Sequence, residues 1–148
     1  MYTFRKNERL GNNRLQSLLF DQGKSFFQYP FRVQYLFFGK KGMDEHLRHQ
    51  EDHPPGAVFL YPAKCLVSVS KRQMKKAVQR NRAKRLVREA YRKNKNTFYT
   101  FLERERCNAM VAFVYTADKI LSYNEIQEAV SQSIKKLETI LEASQTRQ

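Results

Sequence analysis

From Arg80 to Arg92 the chain reads RNRAKRLVREAYR, with Ala83, Leu86, Val87, Ala90 and Tyr91 recurring at steps of three and four among arginines and lysines. That spacing makes a helix with one apolar stripe to bury and one cationic face to leave outside. Whatever fold the chain adopts must therefore offer a core to one side of this helix and open surface to the other.

The charge is concentrated around that helix. Lys71 to Lys95 holds twelve Lys and Arg residues against one acid, Glu89, a local charge of +11 in a chain whose total is +14. A helix that tolerates this much self-repulsion usually has a polyanion to neutralise it, and phosphate is the commonest polyanion in a cell. Arg80, Lys84, Arg88 and Arg92 step by four along one side. The alternative is a solvated face, but solvated faces normally mix signs. Asn81 reads equally as an RNA contact or as a satisfied amide at the edge of the core.

At 148 residues, with 41% hydrophobic and 13% aromatic residues and few Pro and Gly, the chain is expected to fold as one domain over residues 1–148. No run approaches a membrane span, and Met1 to Lys6 lacks the apolar core of a secretion signal, so a cytoplasmic location without membrane contact is expected. Cys65 and Cys107 have no CxxC spacing and read as reduced, buried thiols.

Asn13 is placed to cap a first helix whose Leu15, Leu18 and Leu19 share a face, with Gly23 to end it. Phe31 to Phe38 reads as a strand with Val33, Tyr35 and Phe37 on one face and Gln34, Leu36 and Phe38 on the other. From Gly39 to Pro55 the composition turns polar and reads as a loop, part of a longer loop or insertion over residues 39–62. Strand candidates follow at Ala57 to Tyr61 and Leu66 to Ser70, separated by Pro62. After the basic helix a separate short piece is expected from Thr97 to Arg104, then a central apolar strand from Ala109 to Thr116. Ser122 to Glu125 forms a capping box ahead of a long helix carrying Ile126, Val130, Ile134, Leu137 and Leu141, with residues 143–148 as a frayed tail. The order implies an α+β sandwich, helices on a small mixed sheet.

Ser68 to Arg92, SVSKRQMKKAVQRNRAKRLVREAYR, resembles the signature of the bacterial ribonuclease P protein component: a strand ending in SVSK, then a helix with the Arg80-Asn81-Arg82 core, the Lys84-Arg85 pair and Arg88. Looser agreement extends to Arg9-Leu10, a short helix ending in Phe20, the GKSF run at Gly23 to Phe26, and Tyr35. Gln16 stands where the family usually has a second aromatic, and the 39–62 loop is longer than in compact members. The resemblance implies an αβββαβα-like sandwich with a four-stranded sheet and a left-handed βαβ crossover containing the basic helix. It also implies an accessory role beside a catalytic RNA subunit that uses Mg²⁺ to cut the 5′ leader from precursor tRNA.

On that reading Arg80, Asn81, Arg82, Lys84, Arg85, Arg88 and Arg92 face the catalytic RNA, and the protein joins it as a monomer. Phe20 with Val33, Tyr35 and Phe37 could line a shared cleft for the unpaired leader, with Lys24 and Lys71 on its backbone. For all four apolar side chains the alternative is plain core packing.

The residues agree that the chain is no nuclease by itself. Metal-dependent phosphodiester cleavage needs clustered carboxylates, and the 14 acids are scattered. No catalytic residue, protein-held metal or other cofactor is assigned. His46, His49 and His53 read as a solvated loop beside Glu45, Glu51 and Asp52. A structural RNA-binding protein such as a ribosomal component is the competing class. Leucine heptads after Arg92, which a DNA-binding zipper needs, are missing.

Overall fold

The structure, a computed structural model, describes residues 4–39 and 61–146. A 3₁₀ turn at Lys6–Glu8 precedes α1 (Asn13–Gln22), β1 (Lys24–Gln28), β2 (Phe31–Gly39), β3 (Ala63–Val69), α2 (Ala77–Arg104), β4 (Cys107–Tyr115) and α3 (Tyr123–Thr146). All but Tyr61 of the strand expected at Ala57 to Tyr61, the three histidines and nearly all of the 39–62 insertion lie outside the described residues.

Alternation along β2 decides the layering. Phe31, Val33 and Tyr35 enter the larger of two hydrophobic clusters, while Leu36 and Phe38 pack against the smaller one. A strand with apolar residues on both faces needs cover on both. Helices α2 and α3 supply it on the first side, through Ala83, Val87, Ala90, Tyr91, Phe98, Ile126, Val130, Ile134 and Leu137. Helix α1 supplies it on the second, where Leu15 and Leu19 meet Leu10, Met110 and Ala112. Burying Leu15 and Leu19 contributes about 1.5–3 kcal/mol each, which is what holds so short a helix in place.

The sheet has four strands in the order β1-β2-β4-β3. β1 pairs antiparallel with β2 and β2 with β4, whereas β3 runs parallel to β4. Parallel neighbours require a crossover, and α2 is that crossover. The apolar strand expected to be central is β4, with hydrogen-bonded neighbours on both sides. At its far edge β3 is capped by a bridge between Arg9 and Cys65.

Several boundaries differ from the sequence reading, each for a local reason. Asn12, not Asn13, caps α1, its side-chain oxygen accepting from the Arg14 and Leu15 amides at 2.9 and 3.2 Å. Gly23 does end α1, but at an ordinary extended φ of −73°. Glycine is needed there because a Cβ would lie 2.3 Å from the Leu19 carbonyl oxygen and 2.8 Å from that of Tyr35. β1, unread in the sequence, hides behind the adjacent Phe26 and Phe27, which break a simple alternation, and turns into β2 through Tyr29-Pro30. β3 begins at Ala63 rather than Leu66, because Ala63 and Cys65 alternate inward around a half-buried Lys64.

Helix α2 does not break before Thr97. It runs unbroken through the polar RKNKN stretch, 28 residues and about 42 Å in all. Polar side chains in and just after it find partners: Asn94 donates to the Ala90 carbonyl at 2.8 Å, Thr97 to that of Asn94 at 3.2 Å, and Lys95 turns inward to the distant Glu8. The helix stops just before Arg106, which takes a left-handed φ of 55°. Helix α3 starts at the expected capping box, Ser122 and Glu125 exchanging hydrogen bonds of 3.0 and 3.2 Å, and continues to Thr146, past the point where fraying was expected.

Candidate nucleic-acid interface

The apolar stripe of α2 fixes which of its side chains reach solvent. With Ala83, Val87, Ala90 and Tyr91 essentially inaccessible, Asn81, Arg82 and Arg85 are exposed and Lys84 and Arg88 half-buried. No acid occurs from Tyr61 to Arg88, while Lys71, Arg72, Lys75 and Lys76 are exposed just ahead of the helix. The N-terminus of α2 has no side-chain cap. Its unpaired amides, the positive end of the helix dipole and the cations beside them form one anion-attracting surface.

Two of the predicted phosphate ligands already have protein partners. Arg80 donates through Nη1 to the carbonyls of Met74 (2.9 Å) and Lys75 (2.8 Å), bracing the turn that leads into the helix. Arg92 grips Glu89 through Nε (2.9 Å) and Nη2 (2.6 Å). That contact holds the Glu89 carboxyl below the usual carboxylate range, and it offsets the charge of Arg92. Asn81 is exposed, which removes the reading of it as an amide at the core edge.

The shared cleft is not assembled as expected. Phe20 belongs to α1, on one side of the sheet, whereas Val33, Tyr35 and Phe37 face the other, toward α2 and α3. The alternation was read correctly, but the wrong face was assigned to α1. Val33 is fully buried and offers nothing to a ligand. Tyr35 is 8% exposed and packs between Phe26 (5.9 Å) and Phe37 (5.5 Å). Lys24, Tyr35 and Phe37 do meet, with Ile140, around a pocket of about 200 Å³ at the C-terminal end of α3. Lys71 follows β3 and Lys24 starts β1, at opposite edges of the sheet, so the pair cannot flank a single cleft.

The β2 residues on Phe20's side are Arg32, Gln34, Leu36 and Phe38. Gln34 is buried and donates to the Leu19 carbonyl of α1 at 3.2 Å. Leu36 lies under the Gln22 flank of the helix. Phe20 sits two positions from Gln22, about 200° around the helix, and so projects from the opposite flank. It is 40% exposed, and Arg32 is exposed at the start of β2. Beyond Arg32 the same face continues through its register partner Val114 to Ser68, both half-buried. This strip beside α1 is exposed at Phe20 and Arg32 and half-buried beyond them. Gln16, where a second aromatic was expected, turns inward and donates to the Leu10 carbonyl at 2.7 Å.

A buried polar cluster that the sequence reading missed ties the N-terminal segment to α2. Glu8 pairs with Lys95, accepts from Tyr99 at 2.9 Å, and caps its own turn by accepting from the Arg5 amide at 2.6 Å. Tyr91 and Tyr99 share a further hydrogen bond of 3.3 Å. The isolated acid among Arg5, Lys6 and Arg9, in a chain so short of acids, was the available signal.

Among the described residues no group of three His, Cys, Asp or Glu side chains could hold a metal ion. Glu8, Glu89 and Glu125 are committed to Lys95, Arg92 and Ser122. Nor is any described helix long and apolar enough to cross a membrane.

Comparison with known proteins gives a consistent result. The family model described as Ribonuclease P matches residues 4–138. The ribonuclease P protein component of Porphyromonas gingivalis W83 is 33% identical over 129 residues, covering 87% of this chain and 82% of that protein. That of Chlorobium phaeobacteroides DSM 266 is 36% identical over 106 residues, 70% of this chain and 62% of that one. Among solved structures, the RNase P protein from Thermotoga maritima superposes with a TM-score of 0.60 at 20% identity, over 87% of this chain and 96% of that chain. The Staphylococcus aureus RNase P protein does so at 0.57 and 19%, over 88% and 94%. At such identities the structural likeness speaks for the fold alone.

Proposed function

The chain belongs to the ribonuclease P protein family and is the protein subunit of that tRNA-processing endoribonuclease, and from this premise we propose how its surfaces divide the work. The exposed cations of α2, Arg82 and Arg85 first, with Lys84 and Arg88 at their margin, bind phosphates of the catalytic RNA. Asn81 lies among them. The strip beside α1, bordered by Phe20 and Arg32, holds the unpaired 5′ leader of precursor tRNA. The observation that carries the contact with catalytic RNA is the acid-free stretch from Tyr61 to Arg88, whose exposed cations lie beside the uncapped N-terminus of α2.

Cations on a rigid helix suit a folded RNA, whose phosphates are fixed in space. An exposed ring beside an exposed guanidinium suits a single strand, whose bases are free to stack and whose backbone needs neutralising. Among the described residues the carboxylates do not gather into a group of three that would fit a magnesium site, and Glu8 and Glu89 are already paired with Lys95 and Arg92. Mg²⁺ would be held by the RNA subunit, and no step of the cleavage is assigned to this chain.

The test is reconstitution of the purified protein with a bacterial catalytic RNA and precursor tRNA at low Mg²⁺. Stimulated cleavage at the 5′ end of the mature tRNA is expected, with none by protein rigorously freed of RNA. Equal affinity for precursors of every leader length would remove the leader from the strip beside α1 and leave only the contact of α2 with the catalytic RNA.

A further inference from the structure

Four large apolar side chains are exposed among the described residues, Phe20, Phe27, Tyr29 and Val78. Phe20 borders the strip already described, and Phe27 and Tyr29 have no assigned role. Phe27 is 59% exposed and Tyr29 55%. Their ring centroids lie 6.4 Å apart with the planes tilted by 54°. Neither ring contributes to either hydrophobic cluster, so packing does not explain why two large rings are presented to water at the end of one hairpin.

The hairpin that carries them is fixed from behind. Phe26 packs on Tyr35, with the Lys136 ammonium 4.6 Å from its ring centre. Gln28 donates to Gln132 of α3 at 3.2 Å. With Phe26 directed into the larger cluster, alternation sends Phe27 to the opposite face, the one that carries α1. Phe27 is also the register partner of Arg32. Phe27 therefore continues the row Arg32, Val114 and Ser68 outward to the free edge of the sheet, with the Tyr29 ring of the hairpin turn 6.4 Å from it.

We propose that Phe27 and Tyr29 form a stacking platform for unpaired nucleotides, extending the leader-binding strip to the edge of the sheet, an inference that rests on the leader reading above. Charge selects this occupant. Lys24 to Gly39, the whole hairpin, contains no acid and carries Arg32 between the rings and the strip, within a chain of net charge +14. Bases have two π faces and a backbone of phosphates, so a single strand satisfies the rings and the guanidinium together. The rigid backing means the rings lose little freedom on binding.

The experiment uses the protein assembled with catalytic RNA and measures the affinity of precursor tRNA with a short and with a long unpaired leader. Phe27→Ala and Tyr29→Ala should each weaken the long-leader complex about five- to tenfold, the low end of what one stacked base contributes, and leave the short-leader complex unchanged. Phe27→Trp should retain the affinity, and Phe27→Leu, which keeps apolar area without a π face, should lose it. Unchanged long-leader affinity in the double alanine variant would overturn the platform, as would full retention by Phe27→Leu. So would a protein self-association that the double variant abolishes, because the rings would then serve a second copy of the chain. Each of these leaves the leader reading standing if long leaders still bind more tightly than short ones. If leader length has no effect even with the unsubstituted protein, that reading fails first, and the platform with it.

Discussion

Glu8 and Lys95, 87 residues apart in sequence, form a buried ion pair with exposures of 1% and 5%. The pair fastens the segment ahead of α1 to the middle of α2, and Tyr99 adds a second donor to the same carboxylate oxygen. Removing one member of such a pair strands the other charge in the interior, which typically costs about 3–5 kcal/mol. Glu8→Ala is therefore expected to destabilise the protein by that amount in urea or thermal melts. The double variant Glu8→Leu with Lys95→Met leaves no charge behind and should recover much of the loss. A single variant that melts like the parent would mean the pair contributes nothing net.

The same contact shows where the sequence was legible and where it was not. Periodicity identified the buried stripe of α2 and the apolar face of α3, and an unbroken apolar run identified β4 as the central strand, because each is a local pattern. Lys95 sits in the polar stretch RKNKN, and only a partner 87 residues away explains why the helix continues through it. β2 was legible as a strand with two apolar faces, yet alternation cannot say which helix lies over which face. Val33, Tyr35 and Phe37 were assigned to the wrong side for that reason. The cationic signature was read in full, whereas the capture of Arg80 by the Met74 and Lys75 carbonyls depends on a turn with no local periodicity.

The basic residues of α2 should not contribute equally to RNA binding. Arg82 and Arg85 are exposed, and none of the carboxylates described pairs with them. Substituting either with alanine should weaken binding and lower the salt slope by about 0.7–0.9 per lost phosphate contact. Arg92→Ala should change the slope less, because Glu89 already offsets its charge. Glu89→Gln should strengthen binding. Arg80→Ala should also lower the melting temperature, through the loosened turn. Titrations at several salt concentrations, beside melting curves, check each of these, and identical slopes for all variants would mean the face is merely solvated.

Alkali should unfold the protein earlier than its charge alone would suggest. Burial pushes the Cys65 thiol above its ordinary value near 9.0, and burial likewise raises the Tyr91 and Tyr99 hydroxyls above theirs, near 10.0. In each case the unfolded chain gives up the proton first, so these groups leave stability intact below about pH 9 and reduce it as pH rises further. The loss approaches about 1.4 kcal/mol per pH unit for each group in its window. Urea melts from pH 8 to pH 11 should show this decline, with Tyr99→Phe reducing its slope above pH 10. A flat profile across that range would contradict the burial of these groups.

The two faces of β2 can be separated by mutation, because one is packed toward α2 and α3 and the other is exposed at Arg32. Tyr35 lies between Phe26 and Phe37, and Val33 is fully buried. Truncating a large buried aromatic costs about 3–5 kcal/mol, so Tyr35→Ala should lower the melting temperature and depress every RNA-binding property together. Phe20 and Arg32 are exposed on the α1 side, and alanine at either should leave melting nearly unchanged. Both should instead weaken binding of precursor tRNA with a long leader while sparing mature tRNA and the catalytic RNA. The expected loss for Phe20→Ala is about 1–3 kcal/mol if one base stacks on the ring. Gln16 cannot reinforce that stack, since its amide is turned to the Leu10 carbonyl, and Gln16→Phe is expected to tighten long-leader binding. Measuring melting temperature beside both affinities distinguishes the faces. Equal losses of leader-bearing and mature tRNA on Phe20→Ala, without a change in melting, would place the leader elsewhere than the strip beside α1.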